Sequence, residues 1–336
     1  MSNQPSRYKG LFLLNPDAYN QIYAPTQRAA IAQVVDLYAP PQTAQSITAD
    51  PTLLHEAEMI FSGWGMPRMD EAFLAHTPNL KAVFYGAGSI KACTTDAFWA
   101  RNIPITSSYA ANAVPVAEFT LAQILLCLKQ TWQYAFALKR EQAYGANFPL
   151  AGAYGSTVGI ISLGMIGRLV CRHLQHFDVQ VIAYDPFVNT AAAATLGVEL
   201  CPLAEIFQRA DVVSLHTPWL PETVGLITGA HLASMKTGAT FINTARGAVV
   251  REQEMITVLQ QRPDLLALLD VTYPEPPVAG SPLYTLPNVV LTPHIAGSLG
   301  NECQRMGQLV VDELQRFLAG EPLQWAIARE QAAVMA

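Results

Sequence analysis

The chain offers no cysteine pairing to build on. Its five cysteines, Cys93, Cys127, Cys171, Cys201 and Cys303, are scattered, odd in number and without a CxxC spacing. That removes a disulfide framework and points to reduced thiols in a cytoplasmic protein. Charge is scarce as well. Only 14% of residues are charged, the formal net charge is -6, and no basic run occurs. Such a surface has no electrostatic footprint for nucleic acid or an anionic membrane, so neither is expected as a partner. There is no zinc-finger spacing, and no metal is expected. Residues 1–8 are polar and lack an apolar signal core. The longest apolar stretch, around residues 119–128, is interrupted by Gln123 and reads as too short to cross a bilayer. No repeat or low-complexity segment appears.

What is present is a long, apolar chain: 336 residues, 51% of them hydrophobic. That is a globular composition, and the length usually divides into two domains. Strand-like and helix-like segments alternate along it, the mark of parallel α/β architecture. Strands are expected at residues 10–14, 59–61, 82–85 and 103–106, with helices at 27–37 and 69–75. A long apolar helix is expected at 116–138. It either spans two domains or packs at a dimer interface. A second α/β run has strands at 157–161, 179–184, 212–215, 240–242, 266–269 and 289–291, and a helix at 165–176. A last amphipathic helix covers about 302–318. The expected division is residues 1–111 and 302–336 as a substrate domain, with 112–301 as a nucleotide domain between them.

The nucleotide signal lies mid-chain. Residues 158–167, Val-Gly-Ile-Ile-Ser-Leu-Gly-Met-Ile-Gly, read as a strand, a tight turn and a helix start. The dinucleotide fingerprint asks for glycine at the turn, at the closest approach to pyrophosphate and at the strand–helix contact. Gly164 and Gly167 fill the second and third places. Ser162 stands at the first, where positive φ suits serine poorly. The helix starting at Met165 and Ile166 offers its N–H groups and dipole to the phosphates. Asp185 closes the next strand at about the offset of the ribose-binding acid. A carboxylate there repels a 2′-phosphate and favours NAD over NADP. The plain alternative is a glycine-rich turn beside a solvated aspartate.

Three polar residues follow expected strand ends. Arg246 lies in Asn-Thr-Ala-Arg-Gly (243–247), Glu275 in Asp-Val-Thr-Tyr-Pro-Glu-Pro (270–276) and His294 in Thr-Pro-His-Ile-Ala-Gly-Ser (292–298). Ligands of open α/β sheets bind beyond the carboxyl ends of strands. Arginine can fork onto a carboxylate and polarise a carbonyl. Histidine can give a proton to an oxygen that becomes an alkoxide as hydride arrives. Glutamate can hold the other ring nitrogen and raise the imidazole pKa. Singly, each is as well read as an ordinary surface or loop residue. Together, downstream of a dinucleotide turn, they read as a site.

With these residues in place, the chain resembles the D-isomer-specific 2-hydroxyacid dehydrogenases, and within them the glyoxylate/hydroxypyruvate reductase-like members. The resemblance extends to Tyr-Gly-Ala-Gly-Ser (85–89), Asn-Ala-Val-Pro-Val-Ala-Glu-Phe-Thr (112–120) and His-Thr-Pro (216–218). It implies two doubly wound parallel-sheet domains, a Rossmann nucleotide domain inserted in a flavodoxin-like substrate domain. It implies hydride transfer between NAD and a small 2-hydroxy or 2-oxo acid, with His294 as acid/base, Glu275 its partner and Arg246 the carboxylate clamp. It further implies Asp270 on the nicotinamide carboxamide, and His216, Thr217, Pro218, Thr244 and Ala245 lining the cofactor. Main-chain N–H groups around Gly86, Ala87 and Gly88 would take the substrate carboxylate. Asn112 and Glu118 match positions near the domain hinge, in a structural or a contact role. Trp64 and Tyr85 are pocket-wall candidates, or packing aromatics. The resemblance also implies a homodimer in which residues 140–154, with Tyr144 and Phe148, wrap the partner. Glu275 speaks against the formate dehydrogenase branch, which pairs glutamine with its histidine. No lysine or arginine pair marks a phosphate pocket, so glyoxylate or hydroxypyruvate is the favoured kind of substrate. An NAD-sensing corepressor is the rival from another class.

Overall fold

A computed structural model describes residues 7–143 and 152–335. Tyr144 and Phe148 lie outside the described residues. Contacts divide the chain into two compact units, Met1–Asn112 with Ser298–Met335, and Ala113–Gly297.

In the first unit, β1 (Lys9–Leu13), β2 (Asp36–Leu37), β3 (Met59–Ser62), β4 (Ala82–Tyr85) and β5 (Ile105–Ser107) form a parallel sheet ordered β2-β1-β3-β4-β5. This is the flavodoxin-like order. The strands are apolar on both faces because helices cover both. Leu11, Leu13, Ile60 and Val83 enter one core cluster, while Phe12, Phe61 and Phe84 enter the other. The helix Cys303–Ala319 lays Met306, Val310 and Leu314 on that second cluster. Gly320, at φ 69°, ends it. The chain then runs back along β5. Ser107 N–H donates to Trp325 O at 3.1 Å and Ile327 N–H to Ile105 O at 2.9 Å. The buried carboxylate of Glu313 accepts from the N–H groups of Gln324 and Trp325 at 3.2 and 2.9 Å.

In the second unit, β6 (Thr157–Ile161), β7 (Gln180–Tyr184), β8 (Glu199–Leu200), β9 (Val212–Leu215), β10 (Thr240–Asn243), β11 (Leu266–Leu269) and β12 (Val289–Leu291) are again parallel, ordered β12-β11-β10-β9-β6-β7-β8. This is the Rossmann order with a seventh strand. The order reverses between β6 and β9, where a doubly wound sheet opens its crevice.

Several elements differ from expectation. The helix expected at 27–37 is Pro25–Val34, because Val35 turns extended and residues 36–37 pair with β1 as β2. The single helix expected at 116–138 is two, Tyr109–Leu128 and Thr131–Glu141. The break is Gln130, left-handed at φ 50°, whose amide donates to Gly238 O at 3.4 Å and accepts from the Tyr134 hydroxyl at 2.9 Å. The first of the pair contains Pro115 and, at 20 residues, is long and apolar enough to cross a membrane. The apolar stretch is therefore longer than its sequence pattern indicated. Over half of its most apolar window is buried in the protein, as in a core helix. β5 starts two residues later than expected and the last helix one later, after a 3-10 turn at Gly300–Glu302.

Candidate active site

The fingerprint turn leaves β6 at Ser162, whose φ is 75°. Its N–H donates to Tyr184 O at 2.8 Å, and its hydroxyl lies 2.8 Å from that of Thr217. Gly167 is required: a Cβ there would sit 2.1 Å from Ser162 O. Gly164 caps the helix Met165–Leu174, and nothing lies within 4 Å of where its Cβ would be. The helix N-terminus thus faces open space. Met165 is exposed and Ile166 half-buried. Arg168 braces the turn by donating from Nε to Leu163 O at 2.7 Å. At the end of β7, Asp185 accepts from the N–H groups of Leu163 and Phe187 at 2.7 and 2.8 Å.

At the end of β9, His216 and Thr217 are buried and Pro218 half-buried. Burial pushes the His216 pKa down to about 4, so the ring is neutral near pH 7. Its Nε2 lies 3.0 Å from the Ser214 hydroxyl, and its Nδ1 is buried without a partner. An orphaned buried nitrogen, an open helix N-terminus and a carboxylate at the next strand end are together what a dinucleotide needs. The residues present fit NAD.

The loops after β10, β11 and β12 carry the acid/base candidates. Asn243 is buried and folds its own turn, accepting from Ala245 N–H at 3.0 Å and donating to Arg246 O at 3.1 Å. Sequence reading assigned it no task, although asparagine bonding the backbone two residues on is a known turn signature. Arg246 donates from Nη1 to Ala245 O at 2.6 Å. Burial pulls its pKa down, opposed by the charge of nearby Glu275. Thr244 is tied to Thr120 hydroxyl-to-hydroxyl at 3.0 Å, and Ala245 is buried. His294, left-handed at φ 55°, places Nδ1 2.6 Å from Glu275 Oε1. Arg246, Glu275 and His294 are therefore brought together within one unit.

Asp270 does more than its sequence position told. It is 2% exposed and encloses the His294 loop. Its carboxylate accepts from Thr292 Oγ1 at 2.6 Å and from the N–H groups of Ile295 and Ala296, both at 2.9 Å. Its carbonyl accepts from His294 N–H at 3.0 Å. A cavity of about 440 Å³ opens beside Thr272, Glu275, Pro277, Tyr284 and His294.

In the first unit, Tyr85 and Gly86 are buried at the end of β4 and Trp64 is exposed. Tyr85 packs in the core cluster with Val83 and Ile90. The carbonyls of Ala87 and Gly88 both accept from the buried Ser107 hydroxyl. The N–H groups of residues 87–89 donate to no acceptor among the described residues. Asn112 Oδ1 accepts from Ser298 N–H at 2.9 Å, a structural bond between the two ends of this unit's segments. Glu118 is exposed. The five cysteines are free, and burial pushes the thiols of Cys93, Cys127 and Cys171 up to about 12. Among the described residues no group of three or more His, Cys, Asp or Glu side chains is placed to hold a metal.

Residues 121–296 match the family model for the NAD-binding domain of D-isomer specific 2-hydroxyacid dehydrogenases. The D-3-phosphoglycerate dehydrogenase of Mycobacterium tuberculosis is 36% identical over 253 residues, 75% of this chain and 48% of that protein. The chain thus spans about half the length of the phosphoglycerate dehydrogenases it matches. The (S)-sulfolactate dehydrogenase of Chromohalobacter salexigens is 34% identical over 288 residues, 81% of this chain and 92% of the other. Among solved structures, the NAD-complexed D-isomer specific 2-hydroxyacid dehydrogenase of Lactobacillus delbrueckii ssp. bulgaricus superposes with a TM-score of 0.80 at 23% identity, covering 95% of this chain and 100% of that one.

Proposed function

The chain belongs to the D-isomer-specific 2-hydroxyacid dehydrogenase family, and on that premise we propose that it interconverts a small 2-hydroxy acid and its 2-oxo acid with NAD(H). The observation that carries this reading is the 2.6 Å pair of His294 Nδ1 and Glu275 Oε1 beside a half-buried Arg246. When bound, NAD(H) supplies or accepts the hydride. Glu275 accepts a hydrogen bond from Nδ1–H, which fixes the tautomer and leaves Nε2 to face the reacting oxygen. In reduction, protonated His294 gives its Nε2 proton to the oxygen that becomes alkoxide; in oxidation, neutral His294 takes it back. Arg246 orients the acid and polarises the oxygen. Asp185, at the end of β7, accepts from the adenosine ribose and disfavours a 2′-phosphate. Asp270 holds the loop that carries His294, and one lone-pair direction of its carboxylate is left for the carboxamide. In the first unit, the free N–H groups around Ala87 and Gly88 form a cradle for a carboxylate.

Glyoxylate and hydroxypyruvate are the favoured substrates. The test is NADH oxidation across a panel of 2-oxo acids, with His294→Ala as control. Turnover abolished in that variant is the expected result. NADH binding with no turnover of any acid by the parent would instead favour a cofactor-sensing module. We also place the protein in the cytoplasm, on its free thiols, and assign it a homodimer. The helix Thr131–Glu141 carries Trp132, Tyr134, Phe136 and Leu138 yet has no fully buried residue. Light scattering at micromolar concentration should give twice the chain mass, and a monomer would refute the assignment.

A further inference from the structure

Ser162 is the one residue of the dinucleotide turn that departs from the glycine pattern, and it does so at a cost. Its φ of 75° lies in the left-handed region, where a Cβ is strained and glycine is not. Strain of this kind persists where surrounding structure fixes it, and an outlier at a ligand site is a reason to look for a task. The surroundings do fix it. Ser162 N–H is held by Tyr184 O at 2.8 Å, and its carbonyl is packed against Gly167 so closely that no side chain fits there. The backbone at Ser162 is thus held on both sides, and the side chain extends from it. It meets Thr217 Oγ1 at 2.8 Å.

That contact joins the ends of β6 and β9, the two strands between which the sheet order reverses. A ligand bound at the switch point passes over it. Two hydroxyls carry two protons, and the hydrogen bond between them uses one. Neither oxygen has another partner among the described residues. Thr217 is 3% exposed and Ser162 is half-buried, so the pair is partly open at its Ser162 end.

We propose that the Ser162–Thr217 hydroxyl pair is a cofactor-binding device, donating its second proton to the diphosphate of NAD(H). Glycine at position 162 makes the turn without strain but cannot supply this donor. The inference rests on NAD as cofactor and adds a contact that the glycine pattern lacks. The strain is retained because the hydroxyl is used.

The experiment uses the full chain and two readouts, fluorescence titration with NADH and thermal unfolding without it. Ser162→Ala keeps the strained backbone and loses the hydroxyl; Ser162→Gly loses both. Both variants should bind NADH about tenfold more weakly than the parent, the order expected for a hydrogen bond to a charged group. Thr217→Val should do the same. Ser162→Gly should nevertheless melt above Ser162→Ala, since glycine relieves the left-handed conformation. Titration with ADP-ribose, which carries the diphosphate without the nicotinamide, should show the same loss, while adenosine should not. Ser162→Ala binding NADH within twofold of the parent would overturn the proposal. So would an equal loss for adenosine, which would assign Ser162 to the turn's shape alone. A parent chain that binds no NADH would overturn the cofactor reading itself, and this inference with it.

Discussion

The two parallel sheets end in different chemistry. Beyond β3 and β4 of the first unit, residues 63–66 and 86–90 contain no ionisable side chain. Apart from the Trp64 indole and the Ser89 hydroxyl their polar groups are main chain, and the buried Ser107 hydroxyl holds the Ala87 and Gly88 carbonyls. Beyond β10, β11 and β12 of the second unit come Arg246, Asp270, Glu275 and His294. A peptide N–H keeps its polarity at every pH, whereas an imidazole gains or loses a proton as required. Under the proposed function, anion recognition and proton transfer are built separately, one on glycine-rich backbone and the other on side chains held by the exposed Glu275 and the buried Asp270. The fold is the same kind in both units; the loops decide which task each one takes.

The comparison breaks most sharply at His294. Replacing it with alanine should cost on the order of 10²–10⁴ in kcat, the usual worth of a positioned acid/base. NADH affinity from fluorescence titration should stay at the parent level. A variant that retains parent turnover would remove the proton-transfer half of the contrast. Next comes Arg246. Arg246→Ala should raise KM for the 2-oxo acid roughly 10- to 100-fold, as expected when a charge-assisted bond is lost. Arg246→Lys should recover little of it, because an ammonium cannot fork. Steady-state kinetics on both variants decide the point.

His216 sharpens the contrast from the other side, as an ionisable group on the second sheet that is kept from ionising. Its folded pKa of about 4 lies below the ordinary 6.5. Above pH 6.5 neither folded nor unfolded chain binds the proton. As pH falls from 6.5 towards 4 the unfolded chain takes it up first, and stability declines. The loss should reach roughly 2 kcal/mol at pH 5. Urea unfolding at pH 7 and pH 5 should show this decline in the parent and a smaller one in His216→Gln. Equal declines would mean the ring is free to charge. The smallest effect belongs to the first unit. Ser107→Ala frees the Ala87 and Gly88 carbonyls and should raise KM by less than tenfold, roughly one neutral hydrogen bond. The rise should be equal at every pH tested; a pH-dependent rise would place a titrating group in that loop.

Much of this was legible in the chain. Strands such as Val212–Leu215 and Leu266–Leu269 are short, continuous apolar runs, because both of their faces are covered. The dinucleotide turn and the Arg246, Glu275 and His294 loops were visible because each follows such a run. What escaped was either very local or very long-range. β2 has two residues and no period of its own. The break at Gln130 uses a left-handed glutamine, which carries none of glycine's signal. Asp270 closes on residues more than twenty positions away, an arrangement that exists only once β11 and β12 are paired. The free hydroxyl proton at Ser162 depends on where β9 ends relative to β6, and no spacing rule records that.

The return of residues 325–327 along β5 has a consequence of another kind. A parallel sheet with a bare outer strand is an open template for another chain's backbone. Here that template is filled by the protein's own tail, and the tail is held by Glu313, a carboxylate 1% exposed. A chain cut after Leu323 would keep every residue discussed for chemistry. It would also hold a buried carboxylate stripped of two of its donors beside an unpaired edge, the combination that invites pairing with another chain's backbone. The tail is thus a plug, and the acid beneath it is its latch.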